Sequence, residues 1–226
     1  MIASLNRAAL VRIAPFAAFV ALLALRGVAP ADGAWGFDPR WLYGVTVLVT
    51  GTLLLAFRAE YGELARQTLP SWREALLAAT IGAAVYWSWI NLDAPWMRLT
   101  EATAGYRPVD DQGEIIWSMV MQRWIGAALL VPLMEELFWR SFLMRWIVSA
   151  RFEAVLPARV GLRALLLSTF LFMLGHTLWL AAILAGLAYA GLYIRTGRLW
   201  TAVIAHAVTN GLLGVWVVLT GNWGFW

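Results

Sequence analysis

The sequence predicts an all-α, polytopic integral membrane helical bundle of about seven (seven to eight) transmembrane helices. Three observations carry that expectation. Of 226 residues, 62% are hydrophobic and only 13% are charged, against about 45–50% and about 25% in soluble domains. Long uncharged runs recur along the chain. The 17 basic residues are all Arg and cluster between those runs. Cysteine is absent, which excludes a disulfide framework, a thiolate zinc site and a cysteine nucleophile. A net charge of +4 can signal nucleic-acid binding. Here, however, Arg marks the loops of a membrane protein, and no nucleic-acid partner is expected.

The elements follow in order. About 20 apolar residues span a bilayer as a helix. The first span is expected over Ala8 to Leu25, despite Arg12 and Pro15. A retained anchor fits it better than a cleaved signal peptide, because more spans follow and Pro sits inside the candidate cleavage sequence Ala29-Pro30-Ala31. Trp41 to Phe57 gives 17 uncharged residues and Ala75 to Leu92 gives 18. A fourth span begins around Ile115 to Met121 and continues to about Val148. Ala164 to Ile194 is a 31-residue stretch whose only titratable side chain of interest is His176. It is too long for one comfortable span and fits two short helices turning near His176–Trp179. Leu199 to Trp226 closes the count with 28 uncharged residues. The whole chain, 1–226, reads as a single transmembrane domain, and 92–113 is the one loop long enough to act as a lid or a short re-entrant element.

Arg placement orients the bundle. With the N-terminus inside, 11 of the 17 Arg fall in cytoplasmic segments, and Arg26, Arg40, Arg98 and Arg107 fall outside. The positive-inside rule then gives N-in and C-out, which needs an odd number of spans. Trp is abundant, at 15. Trp35, Trp41, Trp72, Trp87, Trp89, Trp96, Trp200, Trp223 and Trp226 lie near expected span ends, as interfacial anchoring predicts.

With Arg12 and Arg145 counted among the 11 cytoplasmic Arg, four charges remain inside the expected spans: Arg123, Glu135, Glu136 and Arg140. An ionised side chain at bilayer depth costs about 2.5–3.5 kcal/mol even on the gentler insertion scale, so such groups face a protein interior or a wet cavity. Glu136 and Arg140 are four apart and share a helix face, so they can pair. Glu135 lies about 100° round the helix and cannot share that Arg equally. One carboxylate is thus neutralised and the other is freer to exchange a proton. A structural ion pair accounts for one Glu, not for two. Pro132, just upstream, can kink the helix and open space for water.

The only two histidines, His176 and His206, both lie in apolar helices. Phe172 and His176 share a face, as do His206 and Asn210, with Thr209 beside them. A single buried His is more often a hydrogen-bonded core residue than a catalytic one. Two His, an Asn and a Glu from different spans can nevertheless converge on one cavity. His and carboxylate activate water directly or through a metal, and Asn can donate to an oxyanion.

The ordered set Glu135-Glu136-x-x-x-Arg140, Phe172-x-x-x-His176 and His206-x-x-x-Asn210 resembles the CPBP family. Its members are type II CAAX prenyl endopeptidases and bacterial relatives linked to bacteriocin processing. The resemblance covers roughly 123–214. The short length and the wording Val131-Pro132-Leu133-Met134-Glu135-Glu136-Leu137-Phe138-Trp139-Arg140 are similar to a branch associated with exosortase systems. That branch implies a bacterial inner (cytoplasmic) membrane. The resemblance implies an intramembrane endopeptidase that cuts near the C-terminus of a membrane-associated protein or peptide. Glu135 would activate water with help from His176, and His206 and Asn210 would stabilise the oxyanion. Glu136, Arg140 and Phe172 would support the motif. A zinc ion on Glu135, His176 and His206 is one version of this chemistry, and a metal-free, glutamate-activated water is the other. The His-Glu-x-x-His zincin pattern is absent.

Two other classes compete. A membrane scaffold or bacteriocin-immunity protein would keep the motif for packing alone. A proton-coupled transporter would show repeated halves with interrupted helices, and no such symmetry is found.

Overall fold

The computed structural model describes residues 6–30, 34, 36–100 and 105–226. Ala31 and Trp35, named above, lie outside them, as do residues 101–104 of the long loop. Among the described residues there are seven main helices and no strand beyond two isolated bridges. These are α1 (Arg7–Val28), α2 (Leu42–Ala56), α3 (Trp72–Asn91), α4 (117–146), α5 (Leu162–Leu174), α6 (Trp179–Thr196) and α7 (Leu199–Thr220). The uncharged run 164–194 does divide in two, and the turn falls at 175–178. Four of the helical segments are long and apolar enough to cross a membrane by length and composition: Arg7–Val28, Pro39–Ala56, Trp179–Thr196 and Leu199–Thr220.

Helix α4 is one continuous helical run interrupted twice by π-helix, at Gly126–Leu130 and Leu137–Leu143. The first interruption has a covalent cause. Pro132 has no N–H, and its ring clashes with the preceding turn of a regular α-helix. The Val131 N–H bonds the Gly126 carbonyl, one residue further back than in an α-helix. The Ala127 carbonyl is thereby left without a donor from its own helix. Asn210 Nδ2 on α7 donates to it at 2.9 Å. Pro15 in α1 creates the same problem at Val11, and the Tyr61 hydroxyl donates to that carbonyl at 2.9 Å. Burial pushes the Tyr61 phenol up to about 12, so it remains a donor at any ordinary pH.

Arg12 sits inside α1 and is nonetheless buried, because its guanidinium forms a two-pronged pair with Glu63 (2.8 and 2.7 Å) and bonds the Ala8 carbonyl. Ser141 of α4 hydrogen-bonds the same Glu63 carboxylate, and Arg145 donates to Ser141 at 2.9 Å. This network ties α1, the 57–70 connection and α4 together. Alongside it, Phe16 stacks on Phe138 with centroids 4.0 Å apart.

Helices α3 and α7 meet backbone to backbone. A methyl at Gly82 would collide with the Ala205 carbonyl, and Thr209 donates to the Gly82 carbonyl at 2.8 Å. The face of α6 presents Ala181, Ala182, Ala185, Gly186 and Ala190 to its neighbours, all buried. Small residues let helices approach closely where there is little hydrophobic drive between them. Of the tryptophans, Trp41, Trp72, Trp87 and Trp96 are exposed, as anchors should be. Trp89 and Trp226 instead line an internal cavity, so position near a span end did not decide their role.

Two outcomes test this packing. Gly82→Ala should destabilise the detergent-solubilised protein by about 1–3 kcal/mol through overpacking. Gly211→Ala, whose added methyl would find its nearest neighbour 3.9 Å away, should leave the thermal midpoint unchanged or raised. Burial pushes the Glu63 carboxyl up. The Arg12 hydrogen bonds and charge, with Ser141, outweigh that and hold it below the ordinary carboxylate value. Its stabilisation is therefore complete above the unfolded-state pKa of about 4.3 and is lost as pH falls through the lower folded value. Thermal midpoints measured from pH 7 down to pH 3 should fall more steeply for wild type than for Glu63→Gln.

Candidate active site

The two carboxylates of the motif have different surroundings, as the helix geometry leads one to expect. Glu136 is 0% exposed. Its Oε1 accepts from Arg140 Nη1 at 3.2 Å and from His206 Nδ1 at 2.9 Å. Arg140 is held in turn by aromatic faces, 4.5 Å over Phe172 and 5.5 Å over Tyr189. Glu135 has a buried Oε2 with no hydrogen-bond partner. It lines a cavity of about 280 Å³ together with His176, His206, Asn210 and Arg123. Residues brought together from α4, the 175–178 turn and α7 thus share one wall.

The ring nitrogens of both histidines are assigned by their partners. His176 Nδ1 lies 2.8 Å from the Phe172 carbonyl, which can only accept, so Nδ1 carries the proton. His206 Nδ1 faces a carboxylate already paired with Arg140 and donates in the same way. In each neutral ring Nε2 is then left as an acceptor. Trp89 packs edge-on against His176 with centroids 5.6 Å apart. Tyr189 stacks on His206 at 4.9 Å and donates to Thr209 at 2.7 Å.

These partners refine three expectations. His206 pairs with Glu136, not with Glu135. As a neutral ring it accepts at Nε2, so it donates to an oxyanion only as the imidazolium. One N–H of Asn210 is committed to Ala127, leaving its second N–H for other work. The ring of Phe172 supports Arg140 and its carbonyl orients His176, which gives its place in the motif a physical reason. Sequence reasoning missed Tyr189, Trp89 and Tyr43. They carry no motif, and an aromatic residue in an apolar helix gives no signal of the cavity it faces. A second cavity, of about 410 Å³, meets the first at His176 and is lined by Asp93, Arg98, Asn222 and Trp226.

Among the described residues, no group of three His, Cys, Asp or Glu is gathered so as to hold a metal ion. Glu135, His176 and His206 line one cavity without forming a ligand set.

The electrostatics separate the two glutamates experimentally. Glu136→Gln removes the charge that pairs with a buried guanidinium and should cost about 3–5 kcal/mol. Glu135→Gln removes an unpartnered carboxylate and should change stability by less than about 1 kcal/mol. Thermal unfolding of the two variants in one detergent measures the difference.

Residues 116–212 match the family model described as Type II CAAX prenyl endopeptidase Rce1-like. The match spans α4 to α7 and all three motifs, in agreement with the resemblance drawn from the motifs alone. Among curated proteins and among solved structures, no match is found.

Proposed function

We propose that this protein is an intramembrane endopeptidase that hydrolyses a peptide bond near the C-terminus of a membrane-associated protein or peptide. The observation that carries the reading is the contrast within the glutamate pair. Oε1 of Glu136 is taken by both Arg140 and His206, and Glu136 is not among the cavity-lining residues. Glu135 has no ion-pair partner among the described residues, and it lines the cavity that also holds both histidines and Asn210. A buried oxygen without a partner is present on each glutamate. The similarity to the Rce1-like family supports the same reaction class.

In the proposed reaction Glu135 takes a proton from water while the water oxygen attacks the scissile carbonyl carbon. The neutral Nε2 of His176 accepts the water's other hydrogen in a hydrogen bond and so orients it. Charge develops on the carbonyl oxygen, where the free Asn210 N–H and a protonated His206 donate. The imidazolium would then lie between that oxyanion and the Glu136 carboxylate. Glu135 returns its proton to the departing amine nitrogen as the C–N bond breaks. Such groups act in a water-excluded site at greater strength than in water. Water must nevertheless reach them, and the adjoining cavity with Asp93, Arg98 and Asn222 on its wall is the route we assign.

The membrane arrangement belongs to the same proposal. The chain forms one membrane domain with seven crossings and its N-terminus on the Arg-rich cytoplasmic side. Helix α5, with 13 residues, is about 20 Å long and falls short of a hydrocarbon core of about 30 Å. The 175–178 turn, with His176, then lies below the membrane surface, where a cavity can admit water to a tethered substrate.

Quantitative C-terminal peptide analysis of membrane fractions tests the reaction. Cells carrying wild type should yield cleaved C-termini, and cells carrying Glu135→Gln should yield none, with equal protein in the membrane. Persistent processing in Glu135→Gln would remove the protease reading and favour a scaffold. In purified protein, cleavage should survive a chelator. Loss on chelation with recovery on added zinc would replace the metal-free step.

A further inference from the structure

Arg123 is a charge within α4 that neither the Glu136 ion pair nor the hydrolytic step uses. It lines the same cavity as Glu135, His176, His206 and Asn210. Its Nε is buried and has no hydrogen-bond partner. Among the described residues no carboxylate pairs with it. The guanidinium instead rests on tyrosine faces, 4.5 Å from the Tyr43 centroid and 5.6 Å from that of Tyr106. Tyr106 carries a second guanidinium, that of Arg26, at 5.4 Å, and the Arg26 Nη1 is also buried without a partner. Two half-buried cations therefore share one aromatic ring, with no counter-charge among the described residues. Burying a charge is costly unless it is paired, and cation–π contacts return only about 0.5–2 kcal/mol each. An arrangement of this kind is completed by an anion.

The cavity selects which anion. Phe19, Leu23, Leu213 and Phe225 line it beside the polar groups, so an occupant must bring apolar surface along with its charge. The end of a peptide chain does so: apolar side chains followed by a carboxylate. The spacing also fits. Arg123 and Glu135 lie 12 positions apart on α4, about 18 Å at the rise of a helix. An extended peptide covers that span in about five residues.

We propose that Arg123, supported by Arg26, binds the terminal carboxylate of the peptide substrate and so sets how far from the C-terminus the chain is cut. This rests on the protease reading above. It adds a specificity-determining residue and names the substrate group that this residue reads.

The test uses the full-length protein in nanodiscs and N-terminally acylated peptides whose last six residues are randomised. One library ends in a free acid and the other in a carboxamide, and products are read by mass spectrometry. Wild type should cleave the acid library about tenfold or more faster than the amide, the scale of a lost charge-assisted bond. Cuts should fall within about five residues of the end. In Arg123→Gln the acid-to-amide ratio should collapse to about one, and in Arg123→Lys it should be partly kept. An equal rate on both libraries in wild type, which depends on no variant folding, would overturn the proposal. So would a ratio that Arg123→Gln leaves intact. If wild type cleaves neither library, the protease reading fails. Retention of acid over amide peptides by wild type, lost in Arg123→Gln, then still supports the carboxylate site, and equal retention sinks it. Nanodiscs with and without phosphatidylglycerol separate the remaining source of an anion. Arg123-dependent retention of that lipid, without Arg123-dependent retention of acid peptides, would assign the site to a lipid phosphate and overturn the peptide assignment.

Discussion

The Glu136 carboxylate organises the rest of the site. With no exposure to solvent, a charge there is tolerable only with close partners, since the interior repays desolvation only through well-directed contacts. Arg140 from the same helix and His206 from α7 provide them. Both meet Oε1, and Oε2 has no partner. Their demands fix more than one ion pair. Arg140 must sit between Phe172 and Tyr189, which brings α5 and α6 against α4. His206 must turn its Nδ1 to Glu136, which aims its other nitrogen elsewhere. Glu135, one residue earlier and about 100° round the helix, is left with an unpartnered oxygen at the cavity wall.

Proline shapes the same helices by subtraction. Each proline removes a donor, and in a protein largely surrounded by apolar groups the stranded carbonyl has to find another. In α1 the Tyr61 hydroxyl supplies it at Val11, and in α4 the Asn210 amide supplies it at Ala127. The second repair couples structure to chemistry, because the residue that mends the π-distorted helix is also one of the motif residues at the cavity. Asn210 is therefore held in place from two directions, by its position on α7 and by its bond to α4.

Much of the framework was legible in the sequence because apolar run length and intramembrane charge are strong, local signals. The division of 164–194 into two helices and the i,i+4 pairing of Glu136 with Arg140 followed from counting residues. The order of the three motifs pointed to the Rce1-like match over 116–212. The partner of His206 was not legible, since it depends on which face of α7 meets α4. Trp89 and Trp226 looked like interfacial anchors and proved to line the cavity, because proximity to a span end does not specify the direction of a side chain. Arg12, counted with the cytoplasmic Arg at the start of the first span, is a buried partner of Glu63, across 51 positions of chain.

The sequence by itself determined that this is a helical protein built for an apolar environment, where its helices break, and which few polar residues stay within them. Those features depend on composition and on spacings of up to about five residues, which backbone geometry converts directly into structure. Only the tertiary structure decided that His206 joins Arg140 on the Glu136 carboxylate, how the two imidazoles are oriented, and that Arg123 faces the same cavity with no counter-charge among the described residues. Each of these is a relation between different helices, set by close contacts such as Gly82 against Ala205, and no local spacing encodes it.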